Sequence, residues 1–203
     1  MSNIFNSDIY HDIIESMAAA LDAKDIYTAG HSTRVGNMAH KLGEFLGIKD
    51  EKLEILHISG HLHDIGKIGV PDNVLNKTGK LNFEEWELMK KHPEIGYNIL
   101  SKVKSLDDIS QIVLHHHEKW NGEGYPAGLK KEEIPVCSRI ISVCDSIDAM
   151  RSDRPYRKLI SDRDCRCEII KNNGIMYDPN IVDCIIENWD RIVVMHYPMD
   201  VQS

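Results

Sequence analysis

The chain has 203 residues, 42% hydrophobic and 28% charged, a balance that suits one globular core. Its formal net charge of −8 excludes general attachment to DNA or RNA backbones, which needs clustered Lys and Arg, but leaves room for a small anion at a local positive site. Cys137, Cys144, Cys165, Cys167 and Cys184, odd in number and without a C-x-x-C pair, exclude a disulfide framework, and the lack of a basic leader or a membrane-length apolar run leads to the expectation of a soluble cytoplasmic protein with no membrane partner.

Apolar periodicity is helical nearly throughout. Ile9, Ile13, Ile14, Met17 and Leu21 form a first stripe, on a helix that either caps the domain or offers a homodimer face. Val35, Met38, Ala39, Leu42, Phe45 and Leu46 form a second, stopped at Gly47. A third helix starts near Asp50 and carries Leu53, Leu56 and Gly60 toward the adjacent His63 and Asp64. Asn82 and Glu85 stand in capping-box spacing, and Pro93 either kinks that helix or starts a fresh one just after His92. Ile109, Ile112 and Val113 lead into "HHHEKW" (115–120), followed by the one long non-helical stretch, "NGEGYPAGLKKEEIP" (121–135). Helices resume over 136–150, over 163–173 before Gly174, and from Pro179. The pattern predicts one all-α domain over 1–203, with no repeat or linker.

Seven polar groups from five segments stand at helix ends or in otherwise apolar surroundings: His31, His63, Asp64, His92, His116, His117 and Asp145. Neutral imidazoles are favoured ligands of first-row metals, and carboxylates bridge pairs of them. Together the seven could supply two octahedral ions with positions left open for water or substrate. A single histidine is more often a satisfied core or surface residue, and that reading holds for His11, His40, His57, His61, His115 and His196.

The segments "YTAGHSTRV" (27–35), "HDIGKIGVP" (63–71), "HPEIG" (92–96), "HHEKWNGEGYPAGL" (116–129) and "ISVCDSIDAMRSDRPYR" (141–157), in this order, resemble an HD-GYP domain. This is the branch of the HD phosphohydrolase superfamily associated with breakdown of cyclic dinucleotide messengers. The resemblance runs over roughly residues 8–190, with Gly124-Tyr125-Pro126 intact. It implies a single HD-domain helical bundle with one Gly/Pro-rich GYP loop. It further implies that His31, His63, Asp64 and Asp145 hold one divalent ion, iron or manganese, and that Asp64 bridges to a second completed by His92, His116 and His117. Glu118 sets the register of the histidine triplet, leaving His115 outside; Glu118 itself either orients one of the imidazoles or caps the helix end. Some members carry an acidic ligand for a third ion one turn before the first histidine; here that position is Tyr27, which points to two metals.

The chemistry suits these groups. Two metals roughly 3.5–4 Å apart polarise a phosphodiester and activate water, so no Ser, Cys or Thr nucleophile is needed. Lys67 would neutralise the transferring phosphate or, alternatively, closes a helix end. Tyr125 could stack on a guanine, Arg154 and Arg157 suit phosphate or base, and Asp148 holds a ligand or its own helix in place. The expected activity is hydrolysis of cyclic di-GMP, or a related 3′,5′-cyclic dinucleotide, to the linear dinucleotide. Its rivals are a catalytically weak nucleotide-sensing or protein-interaction module and a di-iron oxygenase.

Overall fold

The computed structural model describes residues 7–25, 30–152 and 159–193. Its helices, in chain order, are α1 (Ser7–Lys24), α2 (His31–Phe45), α3 (Asp50–Leu62), α4 (Asp72–Leu75), α5 (Phe83–Met89), α6 (His92–Leu100), α7 (Asp107–Leu114), α8 (Val136–Arg151), α9 (Asp162–Lys171), α10 (Pro179–Glu187) and α11 (Trp189–Ile192). Among the described residues there is no strand, only an isolated bridge between Asn173 and Tyr177. None of the helices is long and apolar enough to cross a membrane.

Local chemistry places many of the ends. The Asn82 side chain accepts from the Glu85 N–H at 2.8 Å, and the Glu85 carboxylate accepts from the Asn82 N–H at 2.7 Å, closing the capping box of α5. Pro93 does not kink that helix: α5 ends at Met89 and α6 starts afresh, with the proline in its first turn, where a missing N–H costs nothing. Asp178 caps α10 ahead of Pro179, accepting from the Asn180 N–H at 2.9 Å.

The main core lies where α2 packs on α3 and α8, and is extended by α9 to α11. Met38, Leu42, Leu56, Ile140, Ile147, Ile169 and Trp189 are among its fully buried side chains. A smaller cluster of Ile14, Leu62, Ile65, Leu100, Ile109 and Val113 joins α1, α3, α6 and α7. The first stripe is narrower than its periodicity suggests. Ile14, Ala18 and Leu21 are buried, but Ile13 is 49% exposed. Cys165 is buried and Cys167 exposed, as a two-residue separation on a helix requires.

After α3 the chain tightens into a 3-10 turn, Ile65–Gly69, which packs against α6. Gly66 makes that approach. A Cβ there would lie 1.8 Å from the His92 carbonyl oxygen and 2.5 Å from the Gly96 nitrogen, both backbone atoms that cannot yield. Gly66→Ala is therefore expected to destabilise the protein by about 3 kcal/mol or more, at the upper end for overpacking, and to move His63 and Asp64 away from His92. Denaturant unfolding alongside metal content checks both effects.

Candidate metal centre

Four helix ends and the middle of one further helix bring the polar groups to one place. His31 opens α2; His63 and Asp64 follow α3; His92 opens α6; His116 and His117 follow α7; and Asp145 projects from the middle of α8. Asp64, His92, His116 and His117 can offer ligand atoms within 4.8 Å of one another, and so can His31, His63 and Asp145. Asp64 stands between the two sets. Its Oδ2 lies 3.4 Å from His63 Nε2 and 3.6 Å from His31 Nε2, while its Oδ1 lies 3.3 Å from His92 Nε2. Asp145 Oδ1 lies 3.4 Å from His31 Nε2. His115 belongs to neither set.

The far nitrogens of these rings determine what the near ones can do. The Nδ1 atoms of His63, His92 and His116 lie 2.7, 2.8 and 2.6 Å from the carbonyl oxygens of Gly60, Met89 and Val113. His31 Nδ1 lies 2.7 Å from Asp148 Oδ2. Carbonyl and carboxylate oxygens accept, so each Nδ1 carries the proton and each neutral ring turns a bare lone pair inward at Nε2. These lone pairs meet, at 3.2 Å between His31 and His63 and at 3.3 Å between His92 and His116. Each pair needs a cation between its nitrogens, either a proton or a metal ion.

The electrostatics separate the two cases. Burial opposes charge on His31, but the Asp145, Asp148 and Asp64 carboxylates outweigh it and raise its pKa well above the ordinary value. At the second pair burial dominates: His92 is lowered, and His116, beside the other imidazoles, is pushed well below the ordinary range. His117 falls to about 3 for the same reasons. Extra protons are thus unwelcome among His92, His116 and His117, and imidazole lone pairs around a carboxylate fit a first-row metal. Burial raises the pKa of Asp64, but Lys67, His63 and His31 overcome it and keep the carboxylate ionised.

Lys67 sits on the 3-10 turn with its Nζ 2.7 Å from Asp64 Oδ2 and 3.2 Å from Asp25 Oδ2. Burial works against its charge, yet the two carboxylates raise its pKa above the ordinary lysine value, so it stays an ammonium. A cleft of about 570 Å³ opens over this end, with Asp25, Lys67, Trp86, His117, Tyr125 and Asp145 in its lining. Tyr125 lies tilted over His117, with ring centroids 4.9 Å apart, and Trp86, 44% exposed, meets its edge at 6.3 Å.

One expectation changes here. Glu118 neither orients a ligand imidazole nor caps α7; its Oε1 accepts from the Ala127 N–H at 2.7 Å and ties down the 121–135 loop. In that loop Gly124 serves the protein's own backbone, since a Cβ there would stand 2.3 Å from the Lys119 nitrogen. Asp25 and Trp86 had no sequence signal, since each is an isolated residue whose place depends on packing. Arg154, Arg157 and Tyr27 lie outside the described residues.

Asp148 also takes a fork from Arg34, at 2.6 Å from Nε and 3.0 Å from Nη2, which fixes the carboxylate behind His31. Asp148→Asn is expected to weaken metal binding about 10–100-fold while leaving the fold intact, because an amide can present its N–H₂ to His31 and favour the wrong tautomer. Competition with a metal chelator measures the shift.

A model of the HD domain family matches residues 15–181. The chain is 38% identical over 182 residues to a cyclic di-GMP phosphodiesterase of Thermotoga maritima, covering 89% of this chain and 50% of that one. It is 33% identical over 186 residues to the 3′3′-cGAMP-specific phosphodiesterase 2 of Vibrio cholerae, covering 91% of this chain and 36% of that one. It thus spans half or less of the length of these two relatives. Among solved structures, a Vibrio cholerae phosphodiesterase specific for cyclic GMP-AMP superposes with a TM-score of 0.71 at 19% identity, covering 93% of this chain and 51% of that one. The HD domain of the Listeria monocytogenes phosphodiesterase PgpH, in complex with cyclic di-AMP, gives 0.64 at 18% identity, covering 93% and 100%. At these identities the likeness is one of fold.

Proposed function

This chain belongs to the HD domain family, and we propose that it is a metal-dependent phosphodiesterase opening a 3′,5′-cyclic dinucleotide, cyclic di-GMP or cyclic GMP-AMP, to the linear dinucleotide. One observation carries the reading: a carboxylate, Asp64, presents one oxygen to each of two buried histidine sets and is backed by an ammonium at the base of an open cleft. His31, His63, Asp64 and Asp145 would hold one divalent ion and Asp64, His92, His116 and His117 another, with iron or manganese suited to the mixed imidazole and carboxylate donors. When bound, such a pair supplies Lewis acidity toward water and phosphate.

The chain's own residues do the rest. Lys67 holds a fixed positive charge beside the ligands, where a phosphate oxygen gains charge as the ester bond breaks. Tyr125 and Trp86 form an aromatic corner on which a base can lie. The cleft volume is within the usual range for a site that holds a small ligand. Arg154 and Arg157 would contribute guanidinium forks to phosphate or base. The relatives named for cyclic di-GMP and cyclic GMP-AMP support the substrate class.

In the family pattern that the sequence resembles, the position one turn before the first histidine, acidic in members that take a third ion, is Tyr27 here. Two ions would suffice to open the first ester; the linear product would carry an added terminal phosphate charge without the ring shape, and would leave faster than it is cut again. Protein loaded anaerobically with iron or manganese is expected to turn cyclic di-GMP into linear dinucleotide that accumulates, with little mononucleotide, as chromatography of the products will show. Stoichiometric binding without turnover would identify a sensing module instead. Mononucleotide formed with no linear intermediate would remove the argument from Tyr27.

A further inference from the structure

Four histidines that look unremarkable in the sequence meet at the seam of α1, α2 and α3. His57 is the centre: its ring lies 5.4 Å from His11, 5.1 Å from His40 and 4.7 Å from His61, centroid to centroid. Glu54 precedes it by one turn on the same face of α3. Ligand atoms of His11, Glu54 and His57 all lie within 4.8 Å of one another, and none of the three residues lines the cleft.

One ring nitrogen of the seam lacks a hydrogen-bond partner, while His11 Nε2 lies 3.3 Å from Glu15 Oε1. His57 Nε2 faces both Asn37 Oδ1 and His61 Nε2, each at 3.1 Å, yet a ring nitrogen carries at most one proton. His61 is buried behind it, and its Nδ1 has no hydrogen-bond partner. Burial, together with the neighbouring His61, His40 and His11, lowers the pKa of His57 to about 4, so at neutral pH the ring keeps one nitrogen free of a proton.

We propose that His11, Glu54 and His57 form a second, separate metal site that takes one zinc-like divalent ion and clamps α1 to α3. Two imidazoles and a carboxylate, with water in the fourth position, make a familiar tetrahedral zinc set. Ligands of such an ion stand about 3.4 Å apart, so the present spacing closes with small rotations of three side chains at the protein's rim. The donors suit zinc-class ions better than magnesium or calcium, which take oxygen ligands.

The test is equilibrium dialysis of the tag-free protein against zinc, followed by metal analysis and thermal unfolding. His57→Gln, and separately the double variant His11→Ala with Glu54→Gln, should each bind one ion fewer than the parent. Both should keep manganese-supported turnover within about twofold, because neither touches the cleft. Zinc at a hundredfold excess over its Kd should raise the parent Tm by on the order of 5 °C more than it raises either variant's. The double variant alters rim positions, so it reports even where His57→Gln folds poorly. Equal zinc content in parent and both variants overturns the site. So does loss of zinc together with turnover, which would place the missing ion in the cleft.

Discussion

Asp64→Ala is expected to lose both cleft ions and more than about 100-fold of the activity, a larger effect than removing any group that merely supports a ligand. Asp64 turns one oxygen toward each histidine set, so its removal opens both at once. It also takes from the buried Lys67 ammonium the nearer of its two ion-pair carboxylates, which sets a less compensated positive charge against incoming metal. Asp64→Asn keeps the shape and tests the charge alone; it should lose nearly as much, because an amide bridges two ions poorly. His63→Ala should behave similarly, since its Nε2 lies 3.2 Å from that of His31, and a site with one imidazole missing keeps only His31 and Asp145 of its own set. Anaerobic metal analysis with circular dichroism separates loss of ions from loss of fold. His115→Ala is the matched control, being adjacent in sequence to the ligands but outside both sets, and its metal content should equal the parent's. Retention of both ions by Asp64→Asn, or dependence on His115 in place of His117, would break this assignment.

Lys67→Met should keep both ions and lower kcat about 100-fold, the scale for removing one preorganised charge or donor from a transition state. The expectation follows from position. The ammonium is held by Asp64 and Asp25 inside the cleft, so it neither caps α3, which ends at Leu62, nor lies on the surface. Its charge is felt most when phosphate oxygens gain charge, so kcat should fall far more than KM rises. Single-turnover kinetics on metal-replete protein would show it directly. An unchanged kcat with a full metal complement would leave Lys67 as a structural lysine that merely balances two buried carboxylates.

Much of this molecule was legible in the chain because the signals are local. Stripes at helical spacing, the Asn82–Glu85 box, Pro93 and Pro179 each act within a turn or two, and the helices begin and end close to where they say. The seven candidate ligands stood out because imidazoles and carboxylates at apolar helix ends need a reason to be there. What the sequence could not contain is apposition. Whether His92 faces His116, or Asp64 both sets, depends on the approach of helices distant in sequence, and that approach depends on contacts such as Gly66 against the His92 carbonyl. The same holds for Asp25 against Lys67, for Glu118 turning to the Ala127 amide, and for the seam histidines. Residues 57 and 61 are one turn apart on α3, which periodicity alone reveals. That His11 and His40 join them from two other helices was settled only when α1 and α2 packed against α3, because side-chain pairs across helices are fixed by how the buried faces interlock, and no local pattern records that.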